Sequence, residues 1–359
     1  DGVVVYVQAD GAVMAAPIDL PKRKLTGKPV PVLDPVAVES ALNGNSAVFV
    51  SPGGGLVAGL QGVRSKLTWL DRTGESRPIG RDVRAFSTAR LSPDGRRIAV
   101  LAGDGSRQDV WIYDLETATL SRLTSVGNVT SLGWTRDGDR IVYSAPGIGA
   151  KDAIWAQSVG AATAPEMLVE VPSLTPVADM APDGRSLLVQ SIVNTFWTVQ
   201  RVALDSTRVF RPYSGATGTN YYTPRFSPDG RWAAISSNES GQYEVYVRSY
   251  PEPNVKVQVS VGGGGSPVWS ADGTRLYYAS GSAIVEARLA TSPGLRVMSR
   301  DTAFANVVNS GANFGQANFD ITKDGSRIVI PSAESSTYPL VVVPNWRTEL
   351  HQRLAAGGQ

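Results

Sequence analysis

The sequence predicts an all-β chain: a β-propeller of four-stranded antiparallel blades, eight of them or alternatively seven, followed by a short C-terminal helix. Three observations carry this expectation. A phrase made of an apolar strand, a Ser-Pro-Asp-Gly turn or a near copy, and a second apolar strand recurs along the chain. The copies are spaced as propeller blades are spaced. The segments that follow each copy alternate apolar and polar residues, which is the period of a strand and not of a helix.

The phrase reads Leu91-Ser-Pro-Asp-Gly-Arg-Arg-Ile-Ala-Val100, then Trp134-Thr-Arg-Asp-Gly-Asp-Arg-Ile-Val-Tyr143 and Met180-Ala-Pro-Asp-Gly-Arg-Ser-Leu-Leu-Val189. It returns as Phe226-Ser-Pro-Asp-Gly-Arg-Trp-Ala-Ala-Ile235, Trp269-Ser-Ala-Asp-Gly-Thr-Arg-Leu-Tyr-Tyr278 and Ile321-Thr-Lys-Asp-Gly-Ser-Arg-Ile-Val-Ile330. Val50-Ser-Pro-Gly-Gly-Gly-Leu-Val-Ala58 is a degenerate copy, and Asp1-Gly-Val-Val-Val-Tyr6 is one more, cut at its turn. Between the turn glycines Gly2, Gly54, Gly95, Gly138, Gly184, Gly230, Gly273 and Gly325 the steps are 52, 41, 43, 46, 46, 43 and 52 residues, a mean of about 46. Asp before Gly supplies the backbone angles of a tight hairpin, and Pro presets the first corner. Asp109-Val-Trp-Ile-Tyr-Asp114 and Tyr243-Glu-Val-Tyr-Val-Arg248 are the third strands of two such units, and Trp111 and Trp155 fall in third strands. Ring closure would remove the exposed edges that an open array presents.

The ends fit less neatly. The first unit lacks its inner strand, and the last, from Asn318 to Trp346, lacks an outer one. One propeller domain is expected over residues 1–345, with a helical tail over 346–359. In that tail Asn345 can cap a helix on which Trp346, Leu350 and Leu354 share a face. So short a helix must dock, either on its own last blade or on another subunit.

Composition narrows the function. The chain has 359 residues, 42% hydrophobic and 18% charged, with 37 glycines and 23 prolines, enough for a core and many turns. A net charge of +2 does not argue for nucleic acid or an anionic membrane surface. With no cysteine, disulfides, thiolate catalysis and Cys-ligated metals are excluded. No apolar run of about 20 residues occurs. Any signal peptide or anchor is expected to have been removed or to lie upstream of Asp1.

The Ser-Pro-Asp-Gly-Arg phrases resemble the TolB-like, WD-related propeller repeats of bacterial envelope proteins. The likeness is closer to the extracytoplasmic propellers of bacterial membrane Ser/Thr kinase-like proteins. Val5-Tyr-Val-Gln-Ala-Asp-Gly-Ala-Val-Met-Ala-Ala-Pro-Ile-Asp19, Ser236-Ser-Asn-Glu-Ser-Gly-Gln-Tyr-Glu-Val-Tyr-Val-Arg248 and Val341-Val-Val-Pro-Asn-Trp346 carry it, together with the repeats. The resemblance implies an envelope location and a binding role. No Gly-rich loop or His-Arg-Asp loop of a kinase domain is present.

Catalytic constellations are not legible. The single histidine, His351, lies in the tail, and no Gly-x-Ser-x-Gly elbow accompanies it. The repeated Asp94, Asp137, Asp183, Asp229, Asp272 and Asp324 read as turn residues of different blades and not as a shared calcium site. Gly262-Gly-Gly-Gly265 precedes a strand, without the Lys and helix of a phosphate loop. Glu75, Glu116, Glu239 and Glu244 cannot be placed as a facing pair. No cofactor or metal is expected. Tyr221 and Tyr222, together with Val307, Val308 and Phe314 of an Asn- and Gly-rich segment, are assigned to the longest inter-blade connections. With Trp346 and Leu350 they are the candidate partner-binding residues, since loops on a rigid scaffold gather such roles. The expected function is a non-catalytic, periplasmic or extracytoplasmic protein-interaction propeller. It would dock on a membrane protein as an extrinsic scaffold subunit of a respiratory or photosynthetic type complex, or serve as the sensor module of a kinase-like protein. A ligand-sensing propeller using the central channel is the alternative, and a channel-sited lyase or hydrolase stands behind it. Clustered acids and arginines at the channel mouth would favour the latter.

Overall fold

A computed structural model of the chain describes residues 2–8, 12–33, 48–50, 56–59, 65–103, 107–147, 151–161, 163–171, 177–292, 294–307, 318–333 and 340–356. The chain folds into two compact units, one of Ser65–Ala102 and Gln108–Ser332, the other of Asp1–Arg64, Gly103–Arg107 and Ala333–Gln359.

In the smaller unit, β1 (Gly2–Val7), β2 (Val13–Asp19), β3 (Lys24–Leu25) and β4 (Val30–Leu33) form an antiparallel sheet in which β3 and β4 pair successive stretches of β2. β5 (Val48–Val50) and β6 (Leu56–Gly59) belong to a second sheet, discussed below. The larger unit begins with β7 (Ser65–Asp71) and β8 (Ser76–Pro78). Blade 1 is β9 (Ala85–Leu91), β10 (Arg97–Gly103), β11 (Gln108–Asp114) and β12 (Thr119–Arg122). Blade 2 is β13 (Ser131–Trp134), β14 (Arg140–Pro146), β15 (Asp152–Ser158) and β16 (Glu166–Val171). Blade 3 is β17 (Val177–Met180), β18 (Ser186–Val193), β19 (Phe196–Ala203) and β20 (Phe210–Ser214). Blade 4 is β21 (Tyr221–Phe226), β22 (Trp232–Ser237), β23 (Glu244–Ser249) and β24 (Lys256–Gln258). Blade 5 is β25 (Gly265–Trp269), β26 (Arg275–Ser280), β27 (Ala283–Ala290) and β28 (Arg296–Phe304). Blade 6 is composite: β29 (Asp320–Ile321) and β30 (Arg327–Ala333) supply its inner strands, and β7 and β8 its outer ones.

Hydrophobic clusters at the blade interfaces close the ring. One joins blade 6 to blade 1 through Leu67, Val329, Phe86 and Ile98. The next joins blades 1 and 2 through Leu101, Ile112, Leu132 and Tyr143. Ile154 meets Leu187 between blades 2 and 3, and Leu188 meets Ile235 between blades 3 and 4. Val247 meets Tyr278 between blades 4 and 5, and Tyr277 and Phe304 meet Ile328 between blades 5 and 6. At the closing blade, Arg72 donates from Nε to Gly325 O at 2.8 Å and from Nη2 to Glu286 Oε2 at 2.5 Å, tying the β7–β8 turn to blades 6 and 5.

The expected eight repeats thus appear, among the described residues, as eight sheets, seven of four strands and one of three. Six of them make the ring. Blade 6 is closed by two strands from each side, β29 and β30 with β7 and β8. The C-terminal strand β31 (Leu340–Val343) pairs with β6 in the three-stranded sheet β31-β6-β5. The helix α1 (Trp346–Ala356) follows, with Asn345 O accepting Thr348 N at 3.1 Å. It belongs to the smaller unit: Trp346 and Leu350 are buried with Val13, Ala15, Val32 and Leu56. No helix among the described residues is long and apolar enough to cross a membrane.

Candidate ligand site at the channel mouth

Each repeat turn is a self-contained polar unit. Ser92 Oγ donates to Asp94 Oδ1, which also accepts Arg96 N at 3.0 Å, while Arg97 N donates back to Ser92 Oγ at 2.9 Å. Thr135 with Asp137, Ser227 with Asp229, Ser270 with Asp272, and Thr322 with Asp324 repeat the arrangement. In blade 3, Ala181 brings no hydroxyl, and Asp183 accepts Arg185 N at 2.9 Å. The hydroxyl bonds hold Asp94 and Asp137 below the ordinary carboxylate range, and the Thr322 and Ser326 hydroxyls bring Asp324 to about 2. Adjacent turns also touch: a Cβ on Gly138 would lie 3.3 Å from Pro93 Cδ, and one on Gly230 3.3 Å from Pro182 Cδ. The Asp-Gly pairs are therefore spent on turn geometry and inter-blade contact.

The turns rim a cavity of about 1010 Å³, walled by the inner strands of all six blades. Five residues before each turn glycine, one position faces this channel. Around the ring it is occupied by Arg90, Gly133, Asp179, Arg225, Val268 and Asp320. The pattern repeats every three blades. Asp179 Oδ1 pairs with Arg225 Nη1 of the next blade at 3.2 Å, and its Oδ2 accepts Phe226 N at 2.7 Å. Trp269 of the blade after that donates Nε1 to Arg225 O at 3.1 Å. Half a ring away, Asp320 Oδ2 accepts Leu91 N at 2.9 Å beside Arg90, and Trp134 Nε1 donates to Arg90 O at 3.0 Å.

The electrostatics follow from burial. Desolvation, then the like charge of Arg225, pull the Arg90 guanidinium down to about 9, against the opposing effect of Asp320 and Asp179. It stays protonated at neutral pH. Burial likewise raises Asp320, and Arg90 opposes the rise. Chemically the cluster sets two arginines beside two aspartates whose carboxyl oxygens are all engaged: Asp320 Oδ1 accepts Ile321 N at 2.8 Å, completing the four. The hydroxyls of Ser92, Ser227 and Ser270 line the same cavity and donate to the aspartates of their own turns. Among the described residues, no three His, Cys, Asp or Glu side chains converge as metal ligands.

The residues assigned from sequence to partner contact sit elsewhere. Tyr221 and Tyr222 open the inner strand β21 and are buried, a correction of their placement in a connection. The Tyr221 hydroxyl reaches Glu239 Oε2 at 3.4 Å, and the Tyr222 ring lies 5.7 Å from Trp197 and 5.7 Å from Tyr243. What disguised the strand is a bulge that accommodates Pro224, with Thr223 at φ +51°. Val307 is buried against Phe304 and Phe319, and its N–H donates to Ser282 O at 2.8 Å. Val308 and Phe314 lie outside the described residues. Trp346 and Leu350 are enclosed in the smaller unit. Sequence reasoning missed Arg90, Asp179, Arg225 and Asp320. The available signal was a column of charge at one repeat position on strands that are otherwise apolar.

No family model matches the chain. Of the curated proteins, one described as a Tricorn-like protease C-terminal subunit of Sulfurisphaera tokodaii is 25% identical over 168 residues, which cover 44% of this chain. That match spans 18% of the length of the archaeal protein. Of the solved structures, one described as a TolB of Agrobacterium tumefaciens superposes with a TM-score of 0.56 at 18% identity, covering 76% of this chain and 99% of that one. The fold is that of the TolB-like β-propellers. A chain of Kuenenia stuttgartiensis hydrazine synthase shares it at a TM-score of 0.51 and 14% identity, covering 82% of this chain and 94% of that one. In this TolB-like ring the charged column brings arginines and aspartates from four blades around one cavity. It marks the channel mouth as the candidate site.

Proposed function

We propose that the TolB-like ring is a non-catalytic binding module that takes its ligand at the channel mouth. The carrying observation is the pair of Asp–Arg–Trp sets around one open cavity, with every carboxylate oxygen engaged in a protein hydrogen bond. Rigid, pre-bonded polar groups in a concave, partly apolar site suit recognition. Loop-mediated docking on a membrane protein has less support, because Tyr221, Tyr222, Val307, Trp346 and Leu350 are turned into cores. The resemblance of the repeats supports an envelope location, in which the ring would serve as the extracytoplasmic sensor of a membrane partner. The acids and arginines clustered at the channel mouth are also the arrangement expected of a channel-sited lyase or hydrolase, and the Tricorn-like relative points the same way; the engagement of all four Asp179 and Asp320 oxygens supports binding over that role.

Native mass spectrometry tests the reading. The purified chain is equilibrated with a small-molecule extract of bacterial envelope and compared with an Ala271→Trp variant, which places a bulky ring on an exposed turn at the rim. A bound mass on the wild type that disappears in the variant is expected. A bound mass retained by the variant, or none on either, overturns the reading.

A further inference from the structure

The two Asp–Arg–Trp sets share the backbone bond to the aspartate and the Trp bond to the arginine carbonyl, and differ at the guanidinium. Arg90 donates to Ala89 O at 2.7 Å and to Phe319 O at 3.0 Å. Arg225, only 9% exposed, has one side-chain acceptor, Asp179 Oδ1 at 3.2 Å, and its Nη2 meets none among the described residues. A guanidinium carries five N–H donors, and a buried donor left without an acceptor is costly. Two unlike residues also occupy equivalent places three blades apart. Val268 fills one; Gly133 leaves the other open, next to Asp179 and one blade further from Arg225. A Cβ at Gly133 would meet nothing nearer than Asp179 Oδ1, at 4.0 Å. The space before Gly133 and the arginine with an unmet donor thus belong to one cavity, with Asp179 between them.

Resting on the reading that the channel mouth binds a ligand, we propose that Arg225 receives the carboxylate of a small organic acid, which enters through the space before Gly133. Nη2 is buried, so the carboxylate would reach it once the guanidinium turns toward that space. A carboxylate suits the fork of the guanidinium, which can offer two parallel N–H groups. It also lies between like charges, since Arg90 and Arg225 repel each other across the channel. A neutral acceptor would satisfy Nη2 without relieving that repulsion. The resident acids tolerate the change. Asp179 keeps Phe226 N, and Asp320 keeps Leu91 N and Ile321 N, so sharing the arginine strands neither carboxylate. Trp134, which follows Gly133 in the chain, lines the same cavity and supplies an apolar wall for the carbon skeleton of the acid.

Isothermal titration with succinate as the probe, and succinamide as its neutral counterpart, tests the assignment. Gly133→Val fills the open space with the residue found at the matching position of blade 5, and leaves every charged group in place. Arg225→Gln removes the charge. Succinate is expected to bind the wild type, and either substitution to weaken it by about tenfold or more, as loss of a charge-assisted hydrogen bond does. Succinamide should bind the wild type at least about tenfold more weakly than succinate. Equal binding of succinate by the wild type and Gly133→Val overturns the proposal even if Arg225→Gln does not fold. So does equal binding of the two probes, or no succinate binding by the wild type at the highest soluble concentration. These failures are separable from failure of the channel reading. A bound mass lost in Ala271→Trp with no succinate binding removes the carboxylate and keeps the channel, whereas a bound mass retained in Ala271→Trp removes both.

Discussion

Replacing Arg72 with Met tests how the ring is closed. Arg72 sits in the turn between β7 and β8, and its guanidinium reaches Gly325 O of blade 6 and Glu286 of blade 5. Its side chain is 41% exposed, whereas that of Glu286 is 4% exposed. Removing one partner of a buried ion pair typically costs about 3–5 kcal/mol. Here solvent screens the arginine side, and Tyr277 Oη at 3.1 Å and Arg288 Nε at 3.4 Å remain on the glutamate. Those two facts reduce the pair to roughly 1–2 kcal/mol, and the lost bond to Gly325 O adds about 1 kcal/mol. A loss of about 2–3 kcal/mol in urea unfolding, followed by tryptophan fluorescence at pH 7, is the expected result. Its pH dependence gives an independent check. Burial would raise Glu286, but the Arg72 bond and charge, with Tyr277 and Arg275, outweigh it and leave the carboxyl below its ordinary value of 4.5. A depressed carboxyl stabilises the fold above its unfolded pKa, and that contribution disappears as pH falls through the folded value. The gap between wild type and variant should therefore shrink as pH drops below about 4. A variant within about 0.5 kcal/mol of wild type at pH 7, or a gap unchanged in acid, would refute the latch.

Other expectations follow from the turns and the smaller unit. Gly138→Ala meets both a φ of +76° and Pro93 Cδ at 3.3 Å, whereas Gly74→Ala meets a φ of +89° with open space around it. Unfolding midpoints should show Gly138→Ala to be the worse by about 1 kcal/mol, with the backbone cost common to both. Because the depressed Asp94, Asp137 and Asp324 are stabilising when ionised, stability should fall as pH drops from about 4 toward 2, and Asp324→Asn should flatten that slope. In the smaller unit, Leu350→Ala removes a side chain that is 5% exposed and should cost about 2–4 kcal/mol, read as lost amide protection in β2 and β4 by hydrogen exchange.

The parts of the fold that local chemistry dictates could be read from sequence. Every Ser/Thr-x-Asp-Gly turn, from Ser92 to Thr322, sits between the inner two strands of a blade, and the third strands read from Asp109 and Tyr243 begin within one residue of those positions, at Gln108 and Glu244. Partner choice at the ends could not be read so. β7 reads as an ordinary apolar strand, and only its pairing across some 260 residues with β30 makes blade 6. Tyr221 and Tyr222 were mistaken for connection residues because Pro224 argues against a strand unless a bulge is anticipated. The channel residues were invisible for a different reason. Arg90, Asp179, Arg225 and Asp320 lie far apart in sequence, and only ring closure brings Asp320 beside Arg90.

The absence of cysteine allows the most direct measurement of the channel-mouth site. A single Ala271→Cys substitution places a thiol at the rim of the cavity, and Thr117→Cys places one away from it, beyond the third strand of blade 1. The rate of alkylation by a small maleimide is then followed with and without the ligand recovered from the envelope extract. The account predicts slower alkylation at position 271 and an unchanged rate at position 117. Equal protection at both positions, or at neither, would contradict it.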